Sequence, residues 1–188
     1  QKSIRDYIWH QPALLRPQNF DPNAPGRGKS LIKTAAGKRV FVVQVQGKIF
    51  MRKVGSPYSA VKQALENTVL GKDADAILID VHAECASEKQ ITGYLLDGRV
   101  SAVFGTHTHV ATADEQILPS GTAYQTDLGM CGVARSVIGF DVQTAIARFA
   151  EGQKVDIKPA EGPAQLNGLL IETDNQTGLA LSVSRFQL

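Results

Sequence analysis

Three of the four histidines in the chain, His82, His107 and His109, fall between Ala76 and Ala111. Neutral imidazole is a versatile ligand for first-row metals and suits Zn, Fe and Mn alike. His107 and His109 are two residues apart, so an extended backbone would place both rings on one face, with Thr106 and Thr108 on the other. Gly105, just ahead of them, is expected to let the chain turn sharply. His82 offers a third nitrogen. Asp80 and Glu84 flank His82 at two residues on either side, where each can accept an imidazole N–H and orient a metal-bound ring. Glu84 has two further options, accepting a proton or touching the ion. The plain alternative for these carboxylates is a loop or capping role near Ser87-Glu88.

The elements that must position these side chains are legible around them. His82 follows the apolar run Ala76–Ile79, and His107 follows Val100–Gly105. Short runs rich in branched and aromatic residues, broken by glycine, read as buried strands. Ser87–Leu96 between them reads as a helix closed by Asp97-Gly98. Strand, helix, strand is a parallel crossover, so both strands should end at the same sheet edge. Open α/β sheets bind ligands at that edge. Three imidazoles delivered there predict a metal site.

Elsewhere, Lys2–Gln11 reads as a helix with Ile4, Tyr7 and Ile8 on one side, ended by Pro12. His10 in its last turn suits the helix dipole. Leu14–Gly28 is an irregular connection whose Arg16 and Arg27 either face an anion or are solvated. Ser30–Thr34 is a short strand, and Arg39–Gln46 a longer one whose final Val/Gln alternation implies one wet face. Ser56-Pro57 opens a helix carrying Val61, Leu65 and Val69 inward and closed by Gly71. Glu115–Leu118 and Thr122–Thr126 form a hairpin, Asp141 caps a helix over Val142–Ala150, and Gln165–Thr173 and Leu179–Phe186 are strands. The first half alternates strand and helix while the second is mostly antiparallel, which predicts a mixed α/β sandwich.

Other polar residues carry weaker signals. Lys89, Arg99 and Arg135 are either phosphate partners or plain surface, and Asp127 either reaches the histidine edge or caps a turn. Cys85 and Cys131 form no CxxC pair and read as free thiols of a reducing cytoplasm. No acidic residue has a spacing that marks it as a bridge between two ions. Three histidines can hold one metal in a His₃ arrangement, while two metals would need ligands from elsewhere. Hydrophobic residues make up 43% of the 188 and the formal net charge is +2, so no strong field argues for nucleic acid or a membrane surface. The length predicts one domain over 1–188.

Longer stretches carry a resemblance. Gly105-Thr106-His107-Thr108-His109 resembles the final Gly-x-His-x-His motif of the calcineurin-like metallophosphoesterases, and His82 resembles the lone histidine of their preceding motif. More narrowly, Asp80–Glu84 with Ser87-Glu88-Lys89, Leu96–Val103, Thr112–Glu115, Ile117–Pro119, Gly121–Tyr124, Thr126-Asp127 and Gly129-Met130 are similar to the YmdB-like bacterial branch. Leu14–Pro17 and Ala160–Pro163 extend the likeness over essentially the whole chain.

The resemblance implies an αββα mixed-sheet metallophosphoesterase sandwich and a phosphodiesterase of cyclic nucleotides, 2′,3′-cyclic and, as a further class, 3′,5′-cyclic. It implies two divalent or mixed-valence ions (Mn, Fe or Zn), with His82 and His107 on one and His109 on the other. A hydroxide between the ions attacks phosphorus in line, and a general acid protonates the leaving oxygen. It also implies a cytoplasmic homo-oligomer. The family's other ligands, an Asp, a Glu-Asn pair and a Gly-Asn-His motif whose histidine is the general acid, have no counterpart in these residues. The chain thus resembles an N-terminally truncated, C-terminal part of such an enzyme, with the acid expected upstream of Gln1 and the chain inactive alone. The alternatives are a single-metal His₃ protein and a non-catalytic regulatory relative.

Overall fold

A computed structural model describes residues 2–188, with side chains from Asp6 onward; the packing expected of Ile4 and the acid expected upstream of Gln1 lie outside the described residues. Helix α1 (Lys2–His10) leads through an irregular segment into β1 (Lys29–Lys33) and β2 (Arg39–Gln46). Helix α2 (Pro57–Ala64) follows, then β3 (Ala76–His82), α3 (Ala86–Leu96) and β4 (Ala102–Thr106). The expected hairpin is β5 (Gln116–Ile117) and β6 (Ala123–Gln125), and a short β7 (Gly132–Val133) comes next. Helix α4 (Val142–Ala145) runs on as a π-helical turn over Ile146–Ala150, before β8 (Ala164–Gln165), β9 (Asn167–Thr173) and β10 (Ala180–Gln187).

The central sheet has six strands in the order β1-β2-β3-β4-β6-β5. Strands β2, β3, β4 and β6 run parallel, with β1 and β5 antiparallel at the two edges. The mixed α/β, mostly parallel architecture is therefore present, with the strand–helix–strand crossover at its centre.

Strand alternation sorts the side chains into two environments. Phe41, Val43, Val45, Ile77, Ile79, Val81 and Val103 face α2 and α3 and form the main core with Val61, Leu65 and Leu96. On the opposite face Leu78, Ala102, Phe104 and Ala123 pack against Ile171, Ala180 and Val183 of the β9–β10 ribbon. Helices, sheet and ribbon make three layers. Burying a full apolar side chain contributes about 1.5–3 kcal/mol, so this alternation fixes the register of every parallel strand.

Some local expectations are corrected. Helix α2 is capped by Ser56, whose hydroxyl accepts the Ser59 N–H, but it ends at Ala64 and leaves Val69 exposed. Asp141 caps α4 by accepting the Thr144 N–H, and the helix then widens into its π turn with Phe149 exposed. Helix α3 inverts the usual logic: Glu88, Lys89, Thr92 and Gly93 are on its buried face, while Ile91 and Tyr94 are exposed. Gly93 is there for proximity, since a Cβ would lie 2.7 Å from the Tyr124 ring.

Candidate functional site

The four parallel strands deliver Gln46, His82, Thr106 and Gln125 to one edge, with His107 one residue beyond β4 and Asp127 two beyond β6. In register, Gln46 pairs with His82 and His82 with Thr106, so these three side chains share a face, as do Gln44, Asp80 and Phe104 one pleat earlier. That face is apolar under the ribbon and polar near the edge. The face carrying Gln44 and Gln46 is the histidine face, polar as expected but not wet, with Gln44 half-buried and Gln46 buried.

A hydrogen-bonded line runs along it. Thr106 Oγ1 donates to Asp80 Oδ1 at 2.8 Å, and Gln44 Nε2 donates to Asp80 Oδ2 at 3.2 Å. The Thr106 hydroxyl has one proton, so it accepts from His82 Nδ1, 3.0 Å away. This leaves Nε2 of His82 with its lone pair, aimed at His107 Nδ1 at 3.1 Å. The two rings meet edge to face, with centroids 4.8 Å apart. At its other nitrogen, His107 Nε2 lies 3.0 Å from Glu84 Oε2.

The structure departs from the sequence expectations at Thr106, Asp80, Glu84 and the His-x-His segment. Thr106 does not point away from the site; it links Asp80 to His82. Asp80 reaches His82 only through that hydroxyl, and Glu84 serves His107 rather than His82. The His-x-His segment is not extended: β4 ends at Thr106, and His107 and His109 take φ of 108° and 68°, a region costly for residues with a Cβ. His109 is exposed and gives its Nδ1–H to the Ile138 carbonyl at 3.0 Å, away from the other two rings.

Electrostatics follow the burial. Burial pushes the Asp80 carboxyl up, against the hydrogen bonds from Thr106 and Gln44. Burial, then the neighbouring His107 and Lys89, push His82 below the usual imidazole value and hold it neutral. A neutral ring is the ligating form.

The segment carrying His107 and His109 is braced from beneath. Asp127 Oδ2 accepts the Thr108 N–H at 3.1 Å and the Lys89 ammonium at 2.8 Å, and its Oδ1 accepts the Gly129 N–H at 2.9 Å. Both side chains of the Lys89–Asp127 pair are 1% exposed. Burial works to raise the Asp127 carboxyl, but the Lys89 ammonium and the two amides hold it below the usual range. Lys89 is thus neither surface nor a free phosphate partner, and Asp127 both reaches the edge and caps the turn. Arg99 follows the C-terminal end of α3, at the opposite edge of the sheet, and Arg135 is exposed. Gly105 does not supply a turn. It sits within β4, where a Cβ would fall 1.8 Å from the Thr126 carbonyl oxygen and 2.4 Å from Lys89 Cδ.

The fit to a metal can be judged on these donors. Among the described residues, no group of three or more His, Cys, Asp or Glu side chains is gathered as an ion would need. Two imidazoles are. His82 gives its Nδ1–H to Thr106, so its Nε2 lone pair accepts a hydrogen bond from His107 Nδ1 at 3.1 Å when that nitrogen carries the proton. The two nitrogens present paired lone pairs only when it does not. Metal–nitrogen bonds of about 2.1 Å meeting at roughly 95° have that nitrogen–nitrogen separation. The outer partners, a carboxylate on one ring and a hydroxyl–carboxylate pair on the other, are of the kind that orients ligating histidines. His82 and His107 could offer two nitrogens to an ion, while His109 is turned to a backbone carbonyl.

Fold and edge define an α/β protein with a braced histidine cluster at the carboxyl ends of its parallel strands. The chain belongs to the YmdB-like protein family, which matches residues 1–186. It is 42% identical over 185 residues to the 2′,3′-cyclic-nucleotide 2′-phosphodiesterase of Bacillus subtilis, covering 98% of this chain and 69% of that protein. A crystal structure of a hypothetical protein from Thermus thermophilus superposes with a TM-score of 0.88 at 37% identity, covering 100% of this chain and 71% of that one. A novel phosphatase of Mycoplasma pneumoniae superposes with a TM-score of 0.86 at 31% identity, covering 100% and 68% respectively.

Proposed function

We propose that the chain supplies histidine ligands to a metal-dependent phosphodiesterase centre that opens cyclic nucleotides, 2′,3′-cyclic species first. The observation that carries this reading is the close approach of His82 Nε2 and His107 Nδ1, 3.1 Å apart, at the carboxyl edge of the parallel strands. Without a proton between them, these two nitrogens offer their lone pairs to an ion. The naming of the Bacillus subtilis relative supports the reaction class and the substrate.

His82 and His107 hold one ion, and His109 is the donor for a second; Mn, Fe and Zn all suit imidazole. Bound ions supply Lewis acidity toward the phosphoryl oxygens and a nucleophile at neutral pH. Asp80, through Thr106, keeps His82 in the Nδ1–H form, and Glu84 does the corresponding work for His107. The buried Lys89–Asp127 pair fixes the backbone between the two histidines of the loop. In this reading residues 1–188 act as one domain of a cytoplasmic homo-oligomer.

One observation favours a second reading. His109 is bonded to Ile138 rather than gathered with the other rings, as a single-ion site would have it. Equilibrium dialysis against Mn²⁺ separates the two, with about two ions bound per chain in the first reading and about one in the second. The protein should convert 2′,3′-cyclic AMP to a nucleoside monophosphate, with His107→Ala lowering kcat at least about hundredfold. Full activity in His107→Ala, or in protein stripped of metal, would sink the proposal.

A further inference from the structure

The turn that follows β2 is built with more care than a surface connection needs. Gly47 donates its N–H to the His82 carbonyl at 2.9 Å, so the chain leaves the sheet beside the site. It then makes a tight turn over Lys48–Met51, closed by the Met51 N–H to the Lys48 carbonyl. Glu88, 2% exposed at the start of α3, accepts the Lys48 N–H at 2.8 Å and the Ile49 N–H at 3.2 Å. Buried Asn19 ties both ends of the segment, donating to the carbonyls of Gln46 and Gly55 and accepting the Gln46 N–H.

What this frame presents is an aromatic ring. Phe50 takes a φ of 59° at the third turn position, where glycine or asparagine is favoured, and its side chain is 89% exposed. Neither backbone preference nor core packing accounts for a phenylalanine there. Its neighbours Lys48, Arg52 and Lys53 are exposed, and Gly47–Gly55 contains no acid. The far side of the segment walls a hollow of about 590 Å³ lined by Phe20, Arg52 and Lys53 with one acid, Asp21. That is the volume class of a small-molecule site.

A second observation points to a ligand. Gln46 is 7% exposed and lies on the His82 face in register with it, yet its Nε2 has no hydrogen-bond partner among the described residues. Buried amide donors are nearly always paired, so this one is free for an acceptor that the described residues do not supply, ordered water or a ligand oxygen.

We propose that Gln46 and the Lys48–Met51 turn form the nucleoside-binding rim of the site: Phe50 stacks on the base, and Gln46 Nε2 donates to a ribose or phosphoryl oxygen. This rests on the phosphodiesterase reading above. Stacking on an aromatic ring tolerates every base, so the rim selects nucleosides as a class rather than one base.

The test uses a stacking reporter. In Phe50→Trp, the new indole should be quenched by adenosine 2′-monophosphate but not by ribose 5-phosphate, whereas in the parent chain Trp9 should respond to neither. By calorimetry, Phe50→Ala should weaken adenosine 2′-monophosphate binding about tenfold and leave ribose 5-phosphate binding unchanged. Gln46→Leu should weaken both about tenfold while its melting temperature holds or rises, because an orphan donor has been removed. The rim is overturned if the Phe50→Trp indole is not quenched, if both ligands weaken equally in Phe50→Ala, or if Gln46→Leu melts lower with affinity intact. It is likewise overturned if Phe50→Ala changes the sedimentation coefficient and not the affinity, which makes the ring a contact between copies. Quenching without any hydrolysis defeats the phosphodiesterase reading and leaves the rim standing; hydrolysis indifferent to Phe50→Ala does the reverse.

Discussion

Lys89 and Asp127 are the residues whose removal should be felt most at the site without touching a ligand. A lysine and an aspartate, each 1% exposed, are desolvated together, and their attraction is supplemented by the amides of Thr108 and Gly129. Lys89→Met leaves a carboxylate buried without its cation, a change that destabilises by roughly 3–5 kcal/mol. Lys89→Met combined with Asp127→Asn removes both charges and should recover at least half of that loss, since neutral replacements of a buried pair are often tolerated. Urea denaturation of the parent, the single variant and the double variant measures the two steps. A single variant within about 1 kcal/mol of the parent would show that the pair is no brace. In the double variant, faster amide exchange at Thr108 would show that the carboxylate, and not merely the filled volume, holds the histidine loop.

At the scale of elements, β4 illustrates what the chain discloses and what it conceals. Strands β2, β3 and β4, the crossover helix and the Ser56 cap were legible because period-two burial and capping chemistry are written into consecutive residues. The arrival of His82 and His107 at one edge followed from that topology. Three details were not legible: the left-handed turn at His107, the diversion of His109 to Ile138, and the buried polar face of α3. Each depends on a partner far along the chain, as with Lys89 and Asp127, 38 residues apart. A polar stripe at Gln44, Gln46, Asp80, His82 and Thr106, on three adjoining strands, was the one available signal for the site face. Gly105 looks like a turn glycine in sequence and proves to be a spacer in the strand. Its missing Cβ admits the Thr126 carbonyl and the Lys89 stem, and a backbone atom at 1.8 Å cannot swing aside. Gly105→Ala should therefore separate β4 from β6 and cost at least the 1–3 kcal/mol typical of overpacking, about the upper figure or more. Chemical denaturation measures this, and a loss below about 0.5 kcal/mol would refute the spacer role.

For the molecule as a whole, the two ends of the sheet are fastened by ionic contacts that respond to acid in the same direction. At the end away from the histidines, Arg39 opens β2 and Asp75 immediately precedes β3. Asp75 Oδ1 meets the Arg39 guanidinium at 2.8 Å, and its Oδ2 accepts the Arg39 backbone N–H at 2.7 Å. The Arg39 side chain first, then its amide, hold the Asp75 carboxyl at about 2, below its ordinary 3.8. A carboxyl whose pKa is depressed by folding adds stability that is complete above the unfolded value and disappears as pH falls through the folded one. The Asp127 carboxyl, also depressed, acts in the same sense, while Asp80, raised by burial, acts in the opposite sense. Asp75→Asn should therefore lower the melting temperature at neutral pH. The gap to the parent should hold down to about 3.8 and close as pH falls towards about 2, where the parent's own carboxyl becomes neutral. Because this end of the sheet is remote from the histidines, the variant should bind Mn²⁺ at neutral pH as the parent does. A gap independent of pH would mean that Asp75 acts through hydrogen-bond shape alone. Weakened metal binding would mean that the two ends of the sheet are coupled more tightly than their separate fastenings imply.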